Sequence, residues 1–105
     1  MVVDCRSYVP VFKAISDATR IKIIEMLCAK EMYAQEILEN FTFAQPTLSY
    51  HMKLLTDSKI VLATQKGKWI SYRINQNQIE VLSGFINLIT NTNYNECEVI
   101  AKCNC

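Results

Sequence analysis

Between Ala34 and Ile74 the spacing of apolar residues changes once, and that change leaves the chain few folds to adopt. Ala34, Ile37, Leu38 and Phe41 fall at i, i+3, i+4 and i+7, the signature of an amphipathic helix. Thr42-Phe43-Ala44 reads as a short turn. From Gln45 to about Ser58, Leu48, Met52 and Leu55 keep helical spacing and leave Gln45, Thr47, Ser49, Tyr50 and Lys53 facing out. Pro46 suits the first helical turn, where a missing N–H costs little. Beyond Ile60 the pattern alternates. Ile60–Gln65 and Trp69–Ile74 are β-prone, with Ile70, Tyr72 and Ile74 set against Trp69, Ser71 and Arg73. Lys66-Gly67-Lys68 between them reads as a tight, basic hairpin tip.

The flanks extend a mainly α reading. Ser7 can cap a first helix to about Ile15, with Pro10 tolerated near its start and Val11, Phe12 and Ile15 as its stripe. Asp17 can cap a second helix from Ala18 to about Lys30. Its expected inner face holds Ile21, Ile24, Leu27 and Cys28, which places Cys28 in the core as a small apolar residue. A last helix is expected from about Asn77 to Asn91, with Ile79, Leu82, Ile86 and Ile89 on one face and Val81, Phe85 and Leu88 beside them. So wide an apolar arc calls for two partners: the chain's own core and the same helix of a second copy. A chain of 105 residues is one domain's worth and leaves apolar surface uncovered, which also favours assembly. Residues 1–92 are therefore read as one folded domain and residues 93–105 as a polar, cysteine-bearing tail.

Net charge is only +1, but its distribution is uneven. From His51 to Arg73, Lys53, Lys59, Lys66, Lys68 and Arg73 stand against Asp57 alone. Asp4, Cys5 and Arg6 follow Val2-Val3 at once, so no apolar leader is expected, nor any stretch able to span a bilayer. The expectation is a cytoplasmic protein with no membrane partner. Its five cysteines, an odd count, then argue against a disulfide framework and for free thiols, metal ligands or redox thiols.

Two short helices joined by a three-residue turn are a helix-turn-helix candidate. Gln45, Thr47, Ser49 and Tyr50 are of base-contacting type, Gln above all for adenine, and the start of such a helix is what enters the major groove. Lys53, Lys66 and Lys68 are placed to neutralise phosphates. Taken alone, the same helix reads as one with an ordinary solvated face. Two rival functions make different demands on the sequence. A thiol-dependent reductase would need an activated cysteine beside a base, and no such motif is visible, so the chain is not expected to be an enzyme. A winged helix used only for protein contacts would bind no DNA.

The run Phe12-Lys13-Ala14-Ile15-Ser16-Asp17-Ala18-Thr19-Arg20 resembles the first-to-second helix junction of the ArsR/SmtB repressors. Ala44-Gln45-Pro46-Thr47-Leu48-Ser49-Tyr50-His51-Met52-Lys53-Leu54-Leu55 is similar to that family's recognition helix, and Gly67-Lys68-Trp69-Ile70-Ser71-Tyr72 to its wing return strand. The resemblance covers about residues 8–90. It implies a dimeric winged helix-turn-helix, mainly α with a small β-hairpin, sitting as a repressor on palindromic double-stranded operator DNA until an inducer lowers its affinity. The first and last helices would build the homodimer. Ala44 stands where a capping Ser is usual, and Tyr50 where His is common. His51 is not an obvious ligand.

The family's cysteine pair on the third helix has no counterpart in Glu31–Glu36, and its Asp and His ligands on the last helix have none in residues 77–91. What remains is Cys97, Cys103 and Cys105, with Cys5 as a possible addition. Three thiolates suit the pyramidal coordination of As(III) or Sb(III), and soft donors suit soft ions. Cd²⁺, Pb²⁺ or Zn²⁺ with Cys5 as fourth ligand stays open, as does sensing of oxidants or persulfide by paired thiols. The mechanism expected is a tail tied down beside the last helix on binding, which turns the two recognition helices out of step with their half-sites.

Overall fold

The computed structural model describes residues 5–91. The expected tail, with Cys97, Cys103 and Cys105, lies outside the described residues. A single 3-10 turn, Cys5–Ser7, leads into α1, Tyr8–Ile15. Ser7 stands at the start of α1 but makes no side-chain capping bond, so the expected cap is not formed. Asp17 does cap α2, Ala18–Ala29: its backbone is extended and its carboxylate accepts from the Arg20 N–H at 3.1 Å.

The inner face of α2 differs from the one expected. Arg20, Ile23 and Leu27 are buried, whereas Ile21 is 46% exposed and Cys28 is exposed. Ile23 and Leu27 lie one turn apart, and that row faces the core. Ile21 and Cys28 lie on a row rotated away from it. The periodicity was compatible with either row, because α2 is apolar on several sides. The expected burial of Cys28 is thus corrected.

A two-residue strand, β1 (Met32–Tyr33), follows, and the alternation in the sequence gave no sign of it. It is too short to alternate, and it exists through pairing alone. The third helix, α3, is Ala34–Leu38, shorter than expected because the chain turns at Glu39 and Asn40. Glu36 accepts from the Tyr33 N–H at 2.9 Å, which holds the start of α3 and keeps this carboxylate below its usual pKa. The turn to Ala44 then leads into α4, Gln45–Asp57, with Pro46 in its first turn and no side-chain cap from Ala44. At its end Lys59 adopts a left-handed conformation (φ 66°) that stops the helix.

β2 (Val61–Lys66) and β3 (Trp69–Ile74) form the hairpin, with Lys66 opposite Trp69 and a two-residue turn at Gly67-Lys68. Gly67 has φ +64°, as the first turn position of such a hairpin requires. The sheet is antiparallel in the order β1-β3-β2. α5, Gln76–Thr90, closes the described chain. Its first turn is tied to the end of α4 by Asn75 and Gln78, whose side-chain amides donate to the carbonyls of Lys59 and Ser58. The core joins Val11, Ala14, Ile23, Leu27, Ile37, Leu48, Met52, Leu55, Ile60 and Val61, with Met32 and Tyr72 at the sheet. None of the described helices is long and apolar enough to cross a membrane.

Candidate nucleic-acid interface

The expected reading face exists as a surface because the opposite side of α4 is locked. Leu48 and Met52 are each 2% exposed and Leu55 is fully buried, so the helix cannot roll about its axis without opening the core. Gln45, Thr47, Ser49, Tyr50 and Lys53 are all exposed, as the sequence expected. Tyr50 is the large hydrophobic side chain that this helix exposes, at 59%.

A second restraint comes from residues that sequence reasoning did not select for it. Arg20 is 8% exposed. Its Nε donates to the Ala14 carbonyl at 2.6 Å, and its Nη1 lies 3.0 Å from His51 Nδ1. Asp17, the cap of α2, lies 4.0 Å from the same His51 nitrogen. One guanidinium therefore joins the end of α1, the start of α2 and the middle of α4. His51 is half-buried, with Arg20 as its partner. Phe43 supports it from the turn, its ring 5.9 Å from the imidazole and stacked on Phe41 at 4.7 Å. The signal for this clamp was in the Asp17–Arg20 spacing, but the partner thirty-one residues on could not be read from it.

The three lysines expected to meet phosphate have unequal surroundings. Lys53 pairs with Asp57 at 3.2 Å, one helical turn away, with both side chains mostly exposed. Lys68 lies over the Trp69 ring at 5.7 Å, and among the described residues no carboxylate is within ion-pair reach of it. Lys66 pairs with Glu31 at 2.9 Å. The same Glu31 oxygen accepts from Ser71 Oγ, and Ser71 is 3% exposed. That hydroxyl bond first, and Lys66 second, hold the Glu31 carboxyl below its usual pKa; Glu31 in turn holds Lys66 above its own.

Among the described residues no cluster of His, Cys, Asp and Glu could hold a metal ion. Cys5 opens the 3-10 turn ahead of α1. The thiols expected to take the inducer belong to the undescribed residues.

A polar face on the second helix of a helix-turn-helix, followed by a basic hairpin and a closing helix, defines a winged-helix regulator of the DNA-binding class. Residues 17–61 match the bacterial regulatory proteins of the arsR family. The chain is 35% identical over 83 residues to an arsenical resistance operon repressor from Staphylococcus aureus, covering 79% of this chain and 80% of that one. It is 38% identical over 81 residues to the transcriptional repressor SdpR of Bacillus subtilis, covering 73% and 90%. A solved winged helix-turn-helix domain from Mycobacterium bovis, described as homodimeric, DNA-binding and a possible ArsR-family regulator, superposes with a TM-score of 0.67 at 21% identity, over 82% of this chain and 80% of that one. The chain belongs to the ArsR family, a family of DNA-binding transcription regulators and not of enzymes.

Proposed function

We propose that this protein is a repressor that binds palindromic double-stranded operator DNA as a homodimer and leaves it when As(III) or Sb(III) is captured by thiolates. The observation that carries the reading is the polar outer face of α4 on a helix that the core and the Arg20–His51 contact hold immobile. Gln45, Thr47, Ser49 and Tyr50 would contact base edges, and Lys53 and Lys68 phosphates, with Lys66 behind them on the wing. α5 supports the dimer: no residue of it is buried, and Ile86 and Ile89 are 45% and 55% exposed. On α1 beside it Val9 is 48% exposed, while Tyr8 and Phe12 pack on Phe85. Two such faces meeting would set the recognition helices about 10 bp apart along the duplex.

For the inducer, two considerations converge. Relatives in the same family are arsenical resistance operon repressors. Cys97, Cys103 and Cys105 are soft donors, and Cys5 adds a fourth at the other end of the chain. The residues present fit a soft ion by donor chemistry and would not suit a hard one. When bound, the metalloid supplies a bond to sulfur that is stronger in the DNA-free state, and that difference in affinity is the whole of the switch.

The test is a titration of As(III) into the complex of the protein with DNA from upstream of its own gene. Release at micromolar As(III), lost stepwise in Cys97→Ser, Cys103→Ser and Cys105→Ser, is the expected result. If the three variants release DNA like the parent, the thiolate site is wrong. Release by Cd²⁺, Pb²⁺, Zn²⁺ or peroxide in place of As(III) would move the chain to a different soft-metal or thiol-oxidation sensor. No retention of the duplex at all would leave a protein-contact module.

A further inference from the structure

The short strand β1 has a consequence for the wing. Its pairing with β3, Met32 with Tyr72 and Tyr33 with Ser71, lays the preceding residue Glu31 along one face of the sheet. Side chains of alternate residues share that face. It carries Glu31 and Tyr33, Ser71 and Trp69 from β3, and Lys66 opposite Trp69 on β2. The rings of Tyr33 and Trp69 meet at 6.4 Å on it.

We infer that Glu31 is a built-in phosphate mimic that occupies Lys66 and withholds its charge from DNA, so that Lys66 does not act as a phosphate contact in the native protein. The inference rests on the DNA-binding reading above and refines it. One feature separates this pair from an ordinary surface contact. The Lys53–Asp57 pair joins two exposed chains on one helix, a type that exchanges readily with solvent and is worth little. Glu31 and Lys66 are exposed too, but the Glu31 oxygen that meets Lys66 also accepts from Ser71, a nearly buried hydroxyl. A carboxylate already oriented by one hydrogen bond loses little further freedom in accepting a second, charge-assisted one from Lys66. A DNA phosphate approaching Lys66 must therefore displace an anchored anion and then lie beside its negative charge. Lys68, across the turn, faces no such competitor among the described residues. The Glu31 carboxylate also lies within coulombic reach of Arg73, a second cation on β3.

The salt dependence of DNA affinity reads this directly, because each phosphate neutralised by a lysine contributes about 0.9 to the slope of log K against log salt. The probe is a labelled duplex from upstream of the gene, titrated with full-length protein between about 50 and 200 mM salt. Glu31→Gln keeps an acceptor for Ser71 and removes the charge. It is expected to steepen the slope by about 0.9, an affinity gain roughly 3.5-fold larger at the low-salt end than at the high-salt end. Lys66→Gln alone is expected to leave the native slope unchanged, and the double variant to return to it. Lys68→Gln should flatten the slope by about 0.9 in any background. Trp69 fluorescence reports whether the wing stays folded in each variant. An unchanged slope in Glu31→Gln with native Trp69 emission overturns the inference, and so does a flattened slope in Lys66→Gln alone. In either case the native protein's own binding to the duplex leaves the DNA-binding reading intact. Absence of binding by the native protein overturns both.

Discussion

Two helices of similar length, α4 and α5, sit at opposite stages of completion. α4 has thirteen residues and buries three of them almost entirely, Leu48, Met52 and Leu55, against the chain's own core. α5 has fifteen, is the more apolar, and buries none. Ile79 and Leu82 pack partly on the core, while Ile86 and Ile89 stand in the open. The difference teaches how the molecule divides its work. The helix that presents a polar face outward is finished within one chain, so its orientation does not depend on a partner. The helix that presents an apolar face outward is finished only when something covers it, and the α1–α5 surface is where a second copy would do so.

Four substitutions break or sharpen this contrast, in falling order of their effect on the stability of the single chain. Leu55→Ala removes a side chain with no exposure and should lower unfolding free energy by about 2–5 kcal/mol in urea titrations. A loss below that range would mean that α4 is less firmly seated than its burial implies. Arg20→Ala removes the bonds to Ala14 and His51 and leaves their buried partners unanswered. A loss of about 1.5–3 kcal/mol is expected, together with weaker discrimination between operator sequences as α4 loosens. Intact sequence preference in that variant would show that the hydrophobic seat alone orients the helix. Asp17→Ala deletes the cap of α2 and should cost about 1 kcal/mol, visible as a shift in the urea midpoint at constant slope.

The smallest effect on the single chain, and the largest on assembly, belongs to α5. Ile89→Asp should change the stability of the isolated chain by no more than about 0.5 kcal/mol, since its side chain is 55% exposed. Analytical ultracentrifugation should show the mass falling from two chains to one. If the native protein already sediments as a single chain at tens of micromolar, the contrast between the helices has another cause.

Much of this was legible in advance. The inward row of α4, its outward polar row, the alternating strands and the glycine of the hairpin followed from spacing, because helices and strands impose different periods on residues that must face the core. α2 shows where spacing runs out. Ile21, Ile23, Ile24 and Leu27 offer more than one apolar row, so spacing alone allows Cys28 inside, whereas the core takes the row of Arg20, Ile23 and Leu27. The candidate site divides in the same way. Residue type named Lys53, Lys66 and Lys68 together as phosphate contacts, and only the folded sheet distinguishes Lys66, with Glu31 and Ser71 beside it, from Lys68.

Local sequence determined which segments are helix and strand, where the second helix begins, and which face of α4 looks outward. Each of these depends on neighbours within a turn or two, where periodicity and capping act. The tertiary structure alone decided that Arg20 would reach His51, that Met32–Tyr33 would become a strand, and that Glu31 would meet Lys66 thirty-five residues away. Contacts between distant residues depend on how whole elements pack, and no short-range pattern encodes that packing.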